Sequence, residues 1–400
     1  MPSDPDPPAA PETGSAYIPL HIPQMRGNEW AYIKECLETN WVSSVGPFVD
    51  RFERDLTDYV GTGHGVEVVN GTAALHIALL AAGVQPADEV LVSTLTFIAS
   101  ANAIRYCGAH PVFIDAEPEY WQMDTSKVSD FLEKECVWKD NQLLNRASKR
   151  KVTAIMPVHI LGHPVDMDPV LELARKFNLV VIEDAAEAIG TKYKGKAVGS
   201  LGDIACFSFN GNKLITTGGG GMIVTDNEET AAKARHLTTQ AKADPVEYIH
   251  DEIGYNYRLT NIQAAMGCAQ LEQLDGYLEV KKSIAARYEE ALKDIPGITP
   301  MKQAPWADSS FWLYTVSVEE ERFGMSSRAL IEGLAARGIQ ARPLWQPLHL
   351  SPVYAGNMRT DTVAEQIYLK AVSLPCSVSM TDDEQRKVVD LLREYSKQKG

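Results

Sequence analysis

Four short stretches place residues capable of chemistry directly after apolar runs. In Leu179–Glu187, two acids, Glu183 and Asp184, follow four apolar residues. A carboxylate at the end of a buried run is costly without a cationic partner. Asp184 could therefore hold a protonated ring nitrogen, or it could cap the next helix. A charge pair at ~4 Å is worth roughly 4 kcal/mol at an effective dielectric of 20, enough to keep a pyridine nitrogen protonated at neutral pH. In Phe207–Lys213, a lysine comes just after an apolar run, with four consecutive glycines, Gly218 to Gly221, close behind. Partly desolvated, Lys213 would be a nucleophilic amine; fully solvated, it would be an ordinary loop lysine. Lys192, Lys194 and Lys196 alternate with Tyr193 and Gly195 as in a solvated hairpin and are poorer nucleophiles. In Asn70–His76, Gly71 permits a tight turn before a helix that opens at Thr72. The free amides and the Thr72 hydroxyl there suit a phosphate, or they form a ligand-free cap. In Ser93–Phe97, Phe97 either stacks on a flat ring or fills a core.

These residues need a scaffold that gathers strand ends. The short apolar runs Val66–Val69, Val90–Val92, Pro111–Ile114, Ala154–Val158, Val180–Ile182, Ala205–Phe209 and Met222–Val224 read as buried strands. Helical stretches intervene at Thr72–Ala82, Ala99–Cys107, Ser126–Glu135 and Pro169–Phe177. The alternation predicts an α/β fold, a mostly parallel seven-stranded sheet with helices on both faces. The last two runs are joined by the glycine-rich turn, with no room for a helix, so they pair antiparallel. In such open sheets ligands bind at the carboxyl ends of the strands. Two helices, Asn28–Thr39 and Pro47–Tyr59, precede the sheet, and one long helical segment, Asn261–Lys293, follows it. Beyond lie a strand at Phe311–Val318, a helix at Ser327–Arg337, a strand at Gln340–Leu344 and a closing helix at Asp382–Gln398. The expected organisation is a disordered tail over 1–17, a large α/β domain over 18–280 and a smaller α+β domain over 281–400.

Composition narrows the function classes. The 400 residues carry 38 Lys+Arg against 53 Asp+Glu, a net charge of −15, which argues against a general nucleic-acid or anionic-membrane surface. It leaves room for an anionic small ligand, which needs only local positive potential. No apolar run approaches the ~18 residues of a membrane helix. The first basic residue is Arg26, so a cationic signal-peptide start is missing and the cytoplasm is the expected compartment. Six scattered cysteines form no CxxC pair and read as buried free thiols. His159 and His163 have the i,i+4 spacing of a zinc pair. Gly162 and Pro164 break any helix there, however, and no Glu follows His159, so no metal is expected. The glycines also miss the G-x-G-x-x-G spacing at the first strand turn, which disfavours a dinucleotide dehydrogenase.

A phosphate site, a stacking aromatic, a carboxylate for a pyridinium and a lysine, all at strand ends of one sheet, are together what pyridoxal 5'-phosphate requires. The chain resembles the DegT family of sugar-nucleotide aminotransferases, fold-type-I pyridoxal-phosphate enzymes, from about Ile18 to about Leu392. The motifs that carry the resemblance are Asn70–Leu75, Glu183–Ala186, Phe207–Phe209 with Lys213, and Gly254–Leu259. The resemblance implies that Lys213 binds the cofactor covalently and shuttles protons, and that Asp184 partners the ring nitrogen. It further implies that Thr72, Ala73 (through its N–H) and Ser208 bind the phosphate and that Phe97 stacks on the ring. Asn256 would reach the phosphate of a neighbouring subunit, which implies a homodimer with shared sites. Glu187 stands near the cofactor's phenolic oxygen, where the family more often has Gln, and His159 would line the pocket. Arg258, Arg342 and His349 are candidates to meet a donor carboxylate or nucleotide phosphates.

Trp41–Val49, Ala103–Ala109, Arg342–Trp345 and Leu374–Ser377 resemble the branch that makes 4-amino sugars for nonulosonic acids, as in the legionaminic-acid pathway. That branch implies amino transfer from L-glutamate to C4 of a UDP-linked 2-acetamido-4-keto-6-deoxy hexose. Two rivals are a pyridoxal-phosphate sugar 3-dehydratase and a non-catalytic cofactor-binding regulator. Dehydratase relatives carry His at the lysine position, so Lys213 speaks against the first, and the second gives Lys213 no special role.

Overall fold

In the computed structural model, residues 17–244, 246–355 and 362–397 are described. The expected tail, apart from Tyr17, lies outside them, as does Gln398 at the end of the closing helix. Seven short strands form the large sheet: β1 (His64–Val68), β2 (Glu89–Ser93), β3 (His110–Ile114), β4 (Val152–Met156), β5 (Val180–Asp184), β6 (Ile204–Ser208) and β7 (Gly221–Thr225). Their order is β1-β7-β6-β5-β4-β2-β3. Strands β6, β5, β4, β2 and β3 pair in parallel, and β7 runs antiparallel to both β6 and β1. The seven apolar runs are thus the seven strands, and the glycine-rich loop 209–220, without a helix, gives the one reversal, with Phe207 opposite Met222.

Both faces are buried because successive side chains point to opposite sides. Val90, Val92, Ala154, Met156 and Ile182 enter one core, with Leu75 and Leu79 of helix Gly71–Ala81. Leu91, Ile155 and Val181 enter the other, against Val170, Leu173 and Phe177 of helix Met167–Phe177. This explains the unbroken apolar runs, since a one-faced strand would alternate. The three helices that matter for the site are α1 (Pro47–Val60), α2 (Gly71–Ala81) and α3 (Asn261–Leu271). Asn261 caps α1 from a distance: its Oδ1 accepts from Phe48 N–H at 3.0 Å and its amide donates to the Trp41 carbonyl at 2.8 Å.

The long helical segment is two helices, α3 and α4 (Leu274–Leu292). No Gly or Pro marks the break at Glu272-Gln273. The break is set by tertiary contacts: Asn28, Tyr32 and Arg51 all bond the Glu272 carboxylate at 2.6–2.7 Å. The expected helix Ser126–Glu135 is α-helical only over Thr125–Asp130, and then widens to π geometry over Phe131–Glu135. A second sheet, all antiparallel, contains β8 (Ile298–Pro300), β9 (Tyr314–Val318), β10 (Arg342–Pro343) and β11 (Ala371–Leu374) in the order β8-β9-β11-β10. Its central strand β11 and the hairpin Cys136–Lys139/Gln142–Asn145 are absent from the sequence reading. Lys192 and Lys196 do lie on a two-residue hairpin, whose turn residues Lys194 and Gly195 have φ of 49° and 82°. All six cysteines are buried and free. No helix among the described residues is long and apolar enough to cross a membrane.

Candidate active site

The carboxyl ends of β1, β2, β5 and β6, with the start of antiparallel β7, open on one edge of the sheet. Gly221, first residue of β7, pairs with Val68 on one side and Ser208 on the other. A Cβ there would lie 2.7 Å from the Asn70 backbone, and a Cβ on Gly71 would lie 2.8 Å from that of Ser208. Glycine at both positions lets the start of α2 press against the end of β6. Thr72 and Ser208, both half-buried, are thereby neighbours of the helix terminus, whose first amides precede any intrahelical bond. One expected phosphate donor is not free. The Ala73 N–H donates to Asn70 Oδ1 at 2.8 Å, so Asn70 caps the helix and the amides of Gly71 and Thr72 come first in line.

The two adjacent acids of β5 have opposite fates, as strand alternation requires. Glu183 is fully buried and takes four donors: the N–H groups of Leu201, Gly202 and Gly199, and His159 Nε2. Burial opposes its charge, but His159 and the glycine amides outweigh it and hold the carboxyl below its usual range. Asp184 points to the site edge. It is 4 % exposed, Oδ2 accepts from Ser100 Oγ at 2.6 Å, and Oδ1 accepts from Ala186 N–H at 3.2 Å. Burial pushes its pKa up, against the pull of Ser100, Ala186 and Lys213. An unneutralised buried carboxylate of this kind fits a cationic ring nitrogen.

Lys213 lies in the loop between β6 and β7 with its side chain 13 % exposed. Its Nζ is 3.6 Å from Glu187 Oε1 and 4.0 Å from the ring centroid of Trp312. Glu187 is buried, and its Oε2 accepts from Leu161 N–H at 2.9 Å. Burial pushes its pKa up to about 7, opposed by Lys213 and Leu161 and reinforced by Asp184. The folded protein therefore holds this proton more tightly than the unfolded chain does. Stability falls as pH rises from the ordinary value of 4.5 towards 7 and stays lowered above it. Glu187→Gln, in protein free of cofactor, is expected to raise the thermal midpoint at pH 8, by the equivalent of about 1–3 kcal/mol, and to lose that advantage at pH 5. Equal midpoints at pH 8 in thermal melts would contradict this.

Phe97 is 55 % exposed, so it is not a core aromatic and its ring is available for stacking. Asn256 is also exposed, on a segment bridged to Thr239. Arg342 sits exposed on β10. Three expected substrate contacts are instead internal supports. His159 has no exposed surface; its Nε2 meets Glu183 at 3.1 Å and its Nδ1 accepts from Val165 N–H at 3.0 Å. Arg258 is committed to Glu53 at 3.3 Å and to Glu67 of β1. His349 bonds Thr94 Oγ1 at 2.6 Å and Glu365 at 2.9 Å, leaving neither ring nitrogen for a ligand. His163, the other half of the apparent zinc pair, is likewise engaged by the Pro164 carbonyl and the Ala304 N–H. Sequence reasoning missed Ser100, Leu161 and Trp312. Only Ser100 left a trace, as a hydroxyl near the start of a helix that follows a strand end.

The donor set fits pyridoxal 5'-phosphate. A close-packed helix start with two hydroxyls, a buried carboxylate in no salt bridge among the described residues, an exposed aromatic and an enclosed lysine stand at one sheet edge. The DegT/DnrJ/EryC1/StrS aminotransferase family model matches residues 23–393. The chain is 42% identical over 380 residues to the GDP-perosamine synthase of Caulobacter vibrioides, covering 94% of this chain and 97% of that protein. It is 40% identical over 381 residues to the GDP-perosamine synthase of Escherichia coli O157:H7, covering 95% and 98%. Among solved structures, S. venezuelae DesV in complex with a ketimine intermediate superposes with a TM-score of 0.83 at 32% identity, covering 92% of this chain and 94% of that one.

Proposed function

The chain belongs to the DegT/DnrJ/EryC1/StrS aminotransferase family, and from that premise we propose that it moves an amino group from L-glutamate to C4 of a nucleotide-linked 4-keto-6-deoxy sugar. It is a pyridoxal-phosphate-dependent sugar aminotransferase; the donor, the carbon and the nucleotide are our reading. The observation that carries the reading is the placement of Lys213, enclosed beside Glu187 and within electrostatic reach of Asp184. The bound cofactor supplies the electron sink that makes an amino-acid Cα–H acidic and carries the amino group between substrates.

The chain's own residues divide the remaining work. Lys213 Nζ would be the covalent attachment point for the cofactor and, as a free amine, the base that would take the proton from the donor Cα. Asp184 keeps a proton on the ring nitrogen, with Ser100 and Ala186 N–H fixing its orientation. Thr72 and Ser208 would hold the phosphate with the first amides of α2, and Phe97 would stack on the ring. Glu187 stands by the amine as its acid–base partner. Arg342 is the remaining cation proposed to meet a substrate anion. We also propose that Asn256 completes the phosphate site of a second copy in a homodimer, that the chain divides into 18–280 and 281–400, and that the enzyme is cytoplasmic.

The resemblance of the motifs suggested a UDP-linked 2-acetamido acceptor. The two relatives at 42% and 40% identity are named for a GDP-linked product, which favours GDP. A donor-by-acceptor screen tests the proposal: glutamate with GDP-, UDP- and dTDP-linked 4-keto sugars, scored by mass for the amino sugar. Product with the GDP-linked acceptor is expected. No amino sugar from any 4-keto acceptor would refute the substrate class.

A further inference from the structure

Two side chains among the described residues lie within about 4 Å of the Lys213 amine, and the first, Glu187, is an acid–base group. The other, Trp312, comes from the residues just before β9, far from Lys213 in sequence. Trp312 is buried, and its ring lies 4.0 Å from Lys213 Nζ. Its indole Nε1–H donates to the carbonyl of Asn212, the residue before the lysine, at 2.8 Å. One side chain therefore holds both the backbone and the amine of the catalytic loop.

Trp312 is itself fixed from three directions. Its backbone carbonyl accepts from the buried Lys281 ammonium at 3.0 Å. Trp345 lies parallel to it, 6.4 Å between centroids with 6° between planes. The preceding Phe311 has φ of +48°, a costly conformation for an aromatic residue, which persists only where its surroundings dictate it. Those surroundings are the Leu161–Gly162 turn. Ser309 and Thr191 hydroxyls donate to the Gly162 carbonyl at 2.7 and 2.8 Å, and a Cβ on Gly162 would lie 2.8 Å from Trp312 N. The same turn supplies the Leu161 N–H that holds Glu187. A single seam thus sets both neighbours of the amine.

We propose that Trp312 is a positioning residue for Lys213: its N–H pins the loop, and its face holds the unattached side chain, by a cation–π contact whenever the amine is protonated, where it must return. The proposal rests on the reading of Lys213 as the cofactor lysine. A tryptophan that merely filled the core would affect stability alone.

The test uses cofactor-free protein, to which pyridoxal phosphate is added, and follows growth of the visible absorption band. Hydride reduction and peptide mass then locate the attachment. Wild type is expected to capture the cofactor on Lys213. Trp312→Leu should capture it at least about tenfold more slowly and lose a similar factor in kcat, with KM for glutamate within about twofold. Trp312→Phe keeps a ring face without the N–H and should fall between the two. Folding of each variant is checked by circular dichroism, and the Phe variant suffices if the Leu variant does not fold. A folded variant that captures cofactor and turns over at the wild-type rate overturns the role of Trp312 and leaves the role of Lys213 intact. Failure of wild type to capture cofactor on Lys213 overturns both.

Discussion

Lys213→Ala is expected to lose the cofactor's visible absorption band and to reduce turnover by at least about 10⁴-fold. The side chain has two jobs, covalent attachment and proton transfer at the donor Cα, and alanine removes both. Four other lysines among the described residues are engaged elsewhere. Lys192 and Lys196 lie on a hairpin and Lys194 pairs with exposed Asp168, while Lys281 is buried against the carbonyls of Trp312 and Cys376. The fold should tolerate the change. The loop is held by the Trp312 N–H to the Asn212 carbonyl and by the Lys213 N–H to the Asn210 carbonyl, neither of which needs the side chain. Removing the ammonium does leave Glu187 without its nearest cation, so its carboxyl should bind a proton still more tightly. Absorbance and steady-state turnover of the purified variant check the prediction, and unchanged activity would sink the aminotransferase mechanism.

Asp184→Asn carries the second large effect. The asparagine keeps size and can still meet Ser100 and Ala186 N–H, so binding of the phosphate at α2 and Ser208 should persist. The charge is what disappears. A pair at ~4 Å is worth about 4 kcal/mol at an effective dielectric of 20, or about three orders of magnitude in rate if it is lost in the transition state. The expected result is a variant that still binds cofactor but has kcat lowered by about 10²–10⁴-fold. Stability should move the other way. Burial raises the Asp184 pKa, so its ionised form costs folding energy at neutral pH, and the neutral amide removes that cost. Cofactor binding by fluorescence, kcat and a thermal melt at pH 8 distinguish this from simple unfolding. A variant that bound cofactor and kept wild-type kcat would remove Asp184 from the mechanism.

The parts of the fold that were legible in the sequence are those fixed by local pattern. β2, β4 and β5 are buried on both faces, so their apolar runs stand out against the helices between them. The glycine-rich connection leaves no room for a helix, which gave the antiparallel β7. β11 was not legible, because Ala371–Leu374 directly follows a helix and has no turn signal before it. The break between α3 and α4 was invisible because Glu272 is stopped by Asn28, Tyr32 and Arg51, residues more than 200 positions earlier.

The site divides in the same way. Asp184 and Lys213, each just beyond a strand's apolar run, could be singled out as candidates from their own neighbourhoods, and the family resemblance supplied the roles expected of them. His159, Arg258 and His349 were plausible ligands only until their partners appeared: Glu183, Glu53 and Glu67, and Glu365. A polar side chain's availability is set by what packs against it, and sequence spacing does not report that. Trp312 was missed for the complementary reason. It reads as one more aromatic before a strand, and only the fold brings its ring over Lys213.

The central claim is that one enzyme-bound amino group passes from donor to sugar at Lys213. The most direct measurement follows the holoenzyme's visible band through the two half-reactions in turn. L-Glutamate alone should bleach the band with release of one equivalent of 2-oxoglutarate, and a nucleotide-linked 4-keto sugar added next should restore it as the amino sugar appears. A band that glutamate bleaches but no keto sugar restores, or one that no amino donor alters, would contradict the account.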